Sequence, residues 1–394
     1  MSTSLYHQVG HNSNWNIESY QTDGCGDGLI LSPVHQNFEV IKRLPREVRA
    51  RSLFDPQYYL PNSQKAKLNS YDFFPEIISG GFSTVGFSAN ARESAKRCIE
   101  FQVEQEFSGI VIPARHFTEM NPDYTADQTS YTVEPCLQEI SAATLGVPVW
   151  LTLPLTSAMI KHAAYRTEIL NWVTSYPEID GVYVIIEDER ETKQIQSRDL
   201  LIAQLDFLTE LRAADLDIIV GHCNTEALLF SLVDGCAITF GSFENTRMFS
   251  IDKFVSSMEE RRGPRARSYL RGLLNWIQFA QAREIYRDAP DIWGQVYEAN
   301  QYGDDALLSP TEPFFNQPAL YKHHFLNFQA QVRELSSYDS HGRYELLRNW
   351  LSTAISLDAG LQSRRFDLER HGRGDHLQPW LDAINSYYRR HLDA

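Results

Sequence analysis

Short apolar runs rich in β-branched and aromatic residues recur along the chain, and most are followed by a stretch with helical spacing. Eight such runs can be counted: GLILSPV (28–34), SLFDPQYY (52–59), GIVIPARHF (109–117), PVWLTLPLT (148–156), GVYVIIEDE (181–189), LDIIVGHCN (216–224), GCAITFGSF (235–243) and SYLRGLLNW (268–276). Most are nearly continuous in apolar residues rather than strictly alternating, which predicts parallel strands covered on both faces. A strand followed by a helix, repeated, is the pattern of βα units.

The intervening segments carry matching helical signals. In ARESAKRCIEFQVEQEF, Ile99, Val103 and Phe107 fall at i, i+4 and i+8, and Asn90 with Glu93 has capping-box spacing. SRDLLIAQLDFLTELR places Leu201, Leu205 and Leu208 on one face behind a candidate Ser197 cap. Thr225 is a candidate cap for EALLFSLVD, which Gly235 can end. Eight strands within about 280 residues, without a glycine-rich first turn, predict a (β/α)8 TIM-like barrel over residues 1–280. The long segments after the second and third runs are expected to form loops over the C-terminal rim. Beyond residue 280 only helical spacing remains, as in HHFLNFQAQVRELSS and LQPWLDAINSYYRRHL, so 281–394 reads as a helical C-terminal extension. That extension is expected to contact a protein partner, to form a homo-oligomer or to cover substrate.

Composition narrows the class. At 394 residues, with 43% hydrophobic and 22% charged residues, the chain has the makeup of a folded globular protein. The absence of a long apolar run and of a basic, apolar N-terminal segment gives the expectation of a cytoplasmic protein with no membrane association. Cys25, Cys98, Cys136, Cys223 and Cys236 are scattered, which indicates reduced thiols and neither a disulfide framework nor a zinc site. A net charge of −15 argues against coating nucleic acid by phosphate neutralisation alone. The 28 arginines against 8 lysines, five of them within Arg261–Arg271, leave room for a local anion-contacting patch or a solvated loop paired with Glu259 and Glu260.

Barrel enzymes work at the C-terminal ends of their strands. Those ends carry Ser32 and His35, Asp55 and Gln57, Arg115 and His116, Thr152 and Thr156, Glu187 and Glu189, His222 and Asn224, Ser242, Glu244 and Arg247, and Asn275. Asp55, directly before proline, is either a turn residue or a carboxylate held in the mouth as a general base or base-recognition group. Glu187 and Glu189, two apart on a strand, would face the same way and could share acid–base work or a divalent ion. His222 suits acid–base chemistry or ligation, and Arg115, His116 and Arg247 suit an anionic or carbonyl-bearing ligand. HExxH, HxH and GxSxG are absent, so no metal or other cofactor is expected and a serine hydrolase is disfavoured.

LFDPQYY, with Asp55 at a strand end, together with IVGHCNTEALLFSLVDGCAITFGSFENTR, resembles the tRNA-guanine transglycosylase superfamily of barrels, including relatives that insert deazaguanine bases into DNA. The likeness spans roughly residues 28–276. It implies a barrel acting on or binding a nucleobase, nucleoside or nucleic-acid N-glycosidic bond, with Asp55 in the catalytic carboxylate's place, and it is compatible with DNA modification or phage defence. Where the family has its nucleophilic aspartate, Thr239–Gly241 carries no carboxylate, and the zinc-binding CxCxxC…H set is missing. Glu244 is the nearest substitute.

The expectation is therefore a transglycosylase-like barrel with Asp55, Glu187, Glu189 and Glu244 as catalytic candidates and Gln57, Arg115, His116, His222, Asn224 and Arg247 as substrate-binding candidates. Two rivals stand beside it. One is a barrel without catalysis that serves as a binding or scaffold subunit, and the other is a metal-assisted hydrolase or lyase built on Glu187, Glu189 and His222.

Overall fold

A computed structural model of the chain describes residues 3–10, 14–60, 65–74, 77–78, 81–82, 84–143, 145–188, 193–254 and 265–393. Its centre is an eight-stranded, all-parallel sheet curled into a nearly closed barrel. The strands are β1 (Leu5–Gln8), β2 (Gly28–Leu31), β3 (Leu53–Phe54), β4 (Ile110–Ile112), β5 (Val149–Thr156), β6 (Gly181–Glu187), β7 (Asp217–Val220) and β8 (Cys236–Gly241). Their order is β3-β2-β1-β8-β7-β6-β5-β4. The seam between β3 and β4 is held by the Ser108 backbone N–H and hydroxyl, both donating to the Ser52 carbonyl at 3.0 and 2.9 Å, and by the His116 N–H donating to the Tyr59 carbonyl at 3.0 Å.

Seven of the eight apolar runs supply barrel strands, and one does not. SYLRGLLNW does not enter the barrel: Arg267–Leu270 (β9) and Asn275–Gln278 (β10) form an antiparallel hairpin outside it. The run is apolar because both hairpin strands are buried, with Leu274 taking φ 49° in the turn between them. The eighth barrel strand is instead β1, LYHQ, half of which is polar. His7 is fully buried there because its ring is satisfied from both sides, by the Cys25 carbonyl at 2.9 Å and the Asn16 amide at 3.1 Å.

Inside the barrel, large rings rise from some strands where others carry glycine. A Cβ on Gly181 would come within 2.6 Å of the Trp150 ring, and one on Gly221 within 2.5 Å of the Tyr183 ring. These close approaches fill the axis, so the barrel is packed rather than hollow.

The helices after the second and third predicted strands are longer than loops over a rim would be. α1 (Asn14–Thr22) follows β1, and α2 spans Thr84–Glu104, so Asn90 lies inside it and is not its cap. The buried face of α2 runs through Ser94, Ala95, Cys98, Ile99 and Gln102, while Val103 is 38% exposed and Phe107 lies beyond the end. Between β4 and β5 the chain is again mostly helical, at Tyr124–Gln128 and Glu134–Ala143. α3 (Arg198–Ala213) forms as its spacing predicts, with the Leu200 N–H donating to Ser197 Oγ at 3.2 Å and Leu201, Leu205 and Leu208 buried. Thr225 contributes only its backbone carbonyl to the short helix Ala227–Phe230, and Gly235 turns the chain into β8 with φ 74°.

The helices at the C-terminal end pack on the barrel. α4 (Pro318–Ser336) lays Phe325 and Phe328 against Phe240 of β8, at ring separations of 5.2 and 6.0 Å, and the Cys25 thiol donates to its Phe325 carbonyl. α5 (Ser340–Ser363) and α6 (Leu377–His391) follow, and α6 lies along α3, where Trp380 Nε1–H donates to the Ile195 carbonyl at 2.7 Å and Tyr387 meets Thr209 at 2.9 Å. One hydrophobic core runs through the outer faces of β5 to β8 and these helices. No described helix is long and apolar enough to cross a membrane.

Candidate functional site

The residue after β3 is Asp55, whose N–H continues the ladder to the Leu31 carbonyl at 2.9 Å. Proline follows, and the carboxylate folds back: Oδ1 accepts the Gln57 N–H at 3.0 Å and Oδ2 accepts the Tyr59 hydroxyl at 2.6 Å. Gln57 takes φ 56°, a left-handed conformation that costs a non-glycine residue energy and is held by this turn. Asp55 is completely buried. Burial raises its carboxyl to about 7, against the opposing pull of the Tyr59 and Gln57 hydrogen bonds.

Around it stand groups from other strands. Gln8 Oε1, at the end of β1, accepts the Tyr183 hydroxyl at 3.0 Å and the His222 N–H at 3.4 Å. His222 follows β7 with φ 54° and is buried at the barrel end, where its ring approaches the Asn245 backbone. Burial lowers its pKa to about 3, with the positive charge of Lys253 acting in the same sense, so the imidazole is neutral. Gln57 Oε1 and Thr152 Oγ1 are buried without a partner among the described residues.

Glu187 closes β6 at the rim. Its Oε2 lies 3.0 Å from His116 Nε2, and its Oε1 accepts the Ile251 N–H at 2.7 Å. Burial pushes this carboxyl up, but the contacts with His116, the Ile251 backbone and Ser250 outweigh it and hold the group below its usual range. Phe249 pairs with Glu187 through an isolated parallel bridge and turns its ring over the mouth. Ring centroids of Tyr59, His222 and His116 lie 5.2, 5.5 and 5.7 Å from that of Phe249, which is 1% exposed. The chain's own segment after β8 therefore caps the barrel end.

Other predicted residues are placed apart from this group. Arg115 is half-buried, with its guanidinium 5.0 Å from the Phe117 ring and its backbone clasped by the Gln128 amide. Burial lowers its pKa. Asn224 donates to the Lys193 carbonyl at 2.9 Å. Glu244 pairs with Lys193, a lysine pushed down to about 7 chiefly by burial. Glu244 and Arg247 line a cavity of about 410 Å³ between the 243–247 turn, the β9–β10 hairpin and the start of α4. Asn275 belongs to that hairpin and accepts from Gln194 at 3.2 Å. Glu189 lies outside the described residues, as do Arg261 and Arg262 of the arginine-rich segment.

Gln8, Tyr59, Tyr183 and Phe249 were not foreseen. Tyr59 could have been found, because it stands four residues after Asp55 within the same turn; Phe249 carries no local signal. Among the described residues no group of three His, Cys, Asp or Glu side chains is arranged to hold a metal ion. No protein-family model matches the chain, and comparison with curated proteins finds no match either.

Proposed function

We propose that this barrel acts on the N-glycosidic bond of a nucleobase-bearing substrate, in the manner of the transglycosylase-like barrels its LFDPQYY segment resembles. The observation that carries this reading is a pair of carboxyls at one barrel end whose environments drive them apart. Asp55 rises to about 7 while Glu187 is held below its usual range. Such a split suits an acid and a base: in this reading Asp55 keeps a proton for the departing base, and ionised Glu187 stabilises positive charge at the anomeric carbon or activates the attacking group. Neutral His222 and the unpartnered Gln57 carbonyl offer a donor and acceptors to a heterocycle. Entry requires that Phe249 and its neighbours move, since Asp55 is fully buried and Phe249 packs on Tyr59, which donates to it.

A second reading has its own support. Both Asp55 oxygens are engaged by its own chain and the group has no exposure, as expected of a barrel that binds a partner without catalysis. One experiment separates the two. Purified protein is incubated with labelled nucleosides, RNA and DNA, and base release or exchange is followed by mass spectrometry. Turnover by the wild type that is lost in Asp55→Asn and Glu187→Gln, with circular dichroism unchanged, supports the enzyme. No release from any substrate sinks it and favours the scaffold.

A further inference from the structure

The cavity beside the mouth has walls of a different character. Arg247 is 5% exposed, and its Nε and Nη1 have no hydrogen-bond partner; Trp276 is 3% exposed, and its Nε1 has none. Both residues line the cavity of about 410 Å³, a size ordinary for a small-molecule site. The Arg247 guanidinium lies 3.9 Å from the Trp276 ring centroid, a cation–π contact that fixes its plane. Buried N–H donors left unpaired are costly, and three of them on residues lining one cavity form a demand for an acceptor that no described residue meets.

Two of the acids nearby are committed elsewhere. Glu244 pairs with Lys193, and Glu369 pairs with Arg267. Glu226 also lies in the field of Arg247, so three arginines, Arg247, Arg265 and Arg267, face Glu226, Glu244 and Glu369, and Lys193, pushed down to about 7, adds part of a positive charge. Burial lowers Arg247 only to about 10, so it stays charged at neutral pH. The remaining walls are aromatic and amide: Phe243 and Tyr321 lie 5.3 Å apart, and Asn245 Oδ1 is buried without a partner. A bare ion would leave those surfaces unused. A phosphate ester attached to a planar ring would use both halves, with its oxygens on Arg247 and Trp276 Nε1 and its ring against the aromatic wall that Phe243 and Tyr321 form together.

We propose that this cavity is a second binding site, independent of the Asp55 mouth, that takes a free nucleoside monophosphate. A mononucleotide fits the net charge of −15, which disfavours a long polyanion. The test uses the full chain, with AMP, GMP and inorganic phosphate titrated by calorimetry and by tryptophan fluorescence. Expected is saturable binding of a monophosphate, weakened at least tenfold for the matching nucleoside, for Arg247→Gln and for Trp276→Phe, which keeps the ring and removes the donor. Because Arg247→Gln could unfold the chain, the exposed Arg265→Gln serves as a second variant and should weaken binding several-fold with an unchanged circular dichroism spectrum. The proposal is overturned if neither monophosphate binds saturably, or if Trp276→Phe and Arg265→Gln both bind like wild type. Tighter binding of a 5′-phosphorylated oligonucleotide than of the mononucleotide overturns the assignment to a free nucleotide.

Discussion

His116 Nε2 lies 3.0 Å from Glu187 Oε2, so a residue following β4 and the last residue of β6 meet across the barrel end, although β5 separates their strands in the sheet. The contact spans the mouth at its rim, and through the Ile251 N–H on the other carboxylate oxygen it also anchors the segment that carries Phe249. Position, electrostatics and closure of the site thus depend on one side chain.

Glu187→Gln keeps an acceptor for Ile251 but removes the charge. A hydrogen bond to an ionised group contributes about 1.5–3 kcal/mol, so the variant should be less stable by roughly that amount at pH 7. The folded carboxyl is held below the ordinary glutamate value of 4.5. Its contribution is therefore fully present above pH ~4.5 and lost as pH falls through the lower folded value. Urea unfolding of both proteins at pH 7 and pH 4 checks this: the gap between them should narrow on the acid side.

Asp55 titrates in the opposite sense. Its carboxyl rises from 3.8 to about 7 in the folded chain, so between those values the native state binds more protons than the unfolded one. Stability from this group is complete below pH ~4 and declines as pH rises through about 7. Asp55→Asn resembles the protonated acid. It should match the wild type near pH 3, below the unfolded value, and exceed it increasingly as pH rises to 8, by up to about 4 kcal/mol if the whole shift is expressed. A variant that is less stable than wild type at pH 8 would show that the carboxylate form, and not the acid, belongs in this turn.

Phe249 seals the mouth, and its removal should both destabilise and expose. Truncation of a buried phenylalanine costs about 3–5 kcal/mol. Phe249→Leu is the milder variant, and it should admit reagent to the histidines beneath. Diethylpyrocarbonate labelling mapped by mass spectrometry is expected to leave His116 and His222 unmodified in the wild type and to label His222, whose imidazole is neutral, faster in the variant. Equal labelling in both proteins would mean that Phe249 does not control access.

How far the fold could be read depended on how each strand is stabilised. PVWLTLPLT and GVYVIIEDE are apolar along their length because helices cover one face and the filled axis the other, and they became β5 and β6 almost to the residue. LYHQ could not be recognised by the same criterion, because His7 and Gln8 are buried through hydrogen bonds to Cys25, Asn16 and Tyr183, contacts that no local pattern reveals. SYLRGLLNW was misread for the converse reason, its apolar residues serving a hairpin packed under the C-terminal helices. Likewise the position of Asp55 at a strand end was legible, since Pro56 and the preceding run mark it. Its seal was not, because Phe249 arrives from nearly two hundred residues away.

The last prediction concerns the helices beyond residue 280. Phe325 and Phe328 on α4 cover Phe240 of β8, and Phe325 also meets the buried His7 of β1 at 5.0 Å. Gln329 accepts the Gly26 N–H, and α6 lies along α3. A chain ending at residue 280 would therefore expose the outer face of β8 and β1, uncovering the His7 and Phe240 rings and leaving a strip of apolar surface in water. Such a truncation should be insoluble or lack a cooperative thermal transition, whereas Phe325→Ala in the full chain should stay folded and lose about 3–5 kcal/mol. Soluble expression and a cooperative melt of residues 1–280 alone would instead make the barrel self-sufficient and the helices an addition to it, because the β1–β8 face would then be shown to tolerate water.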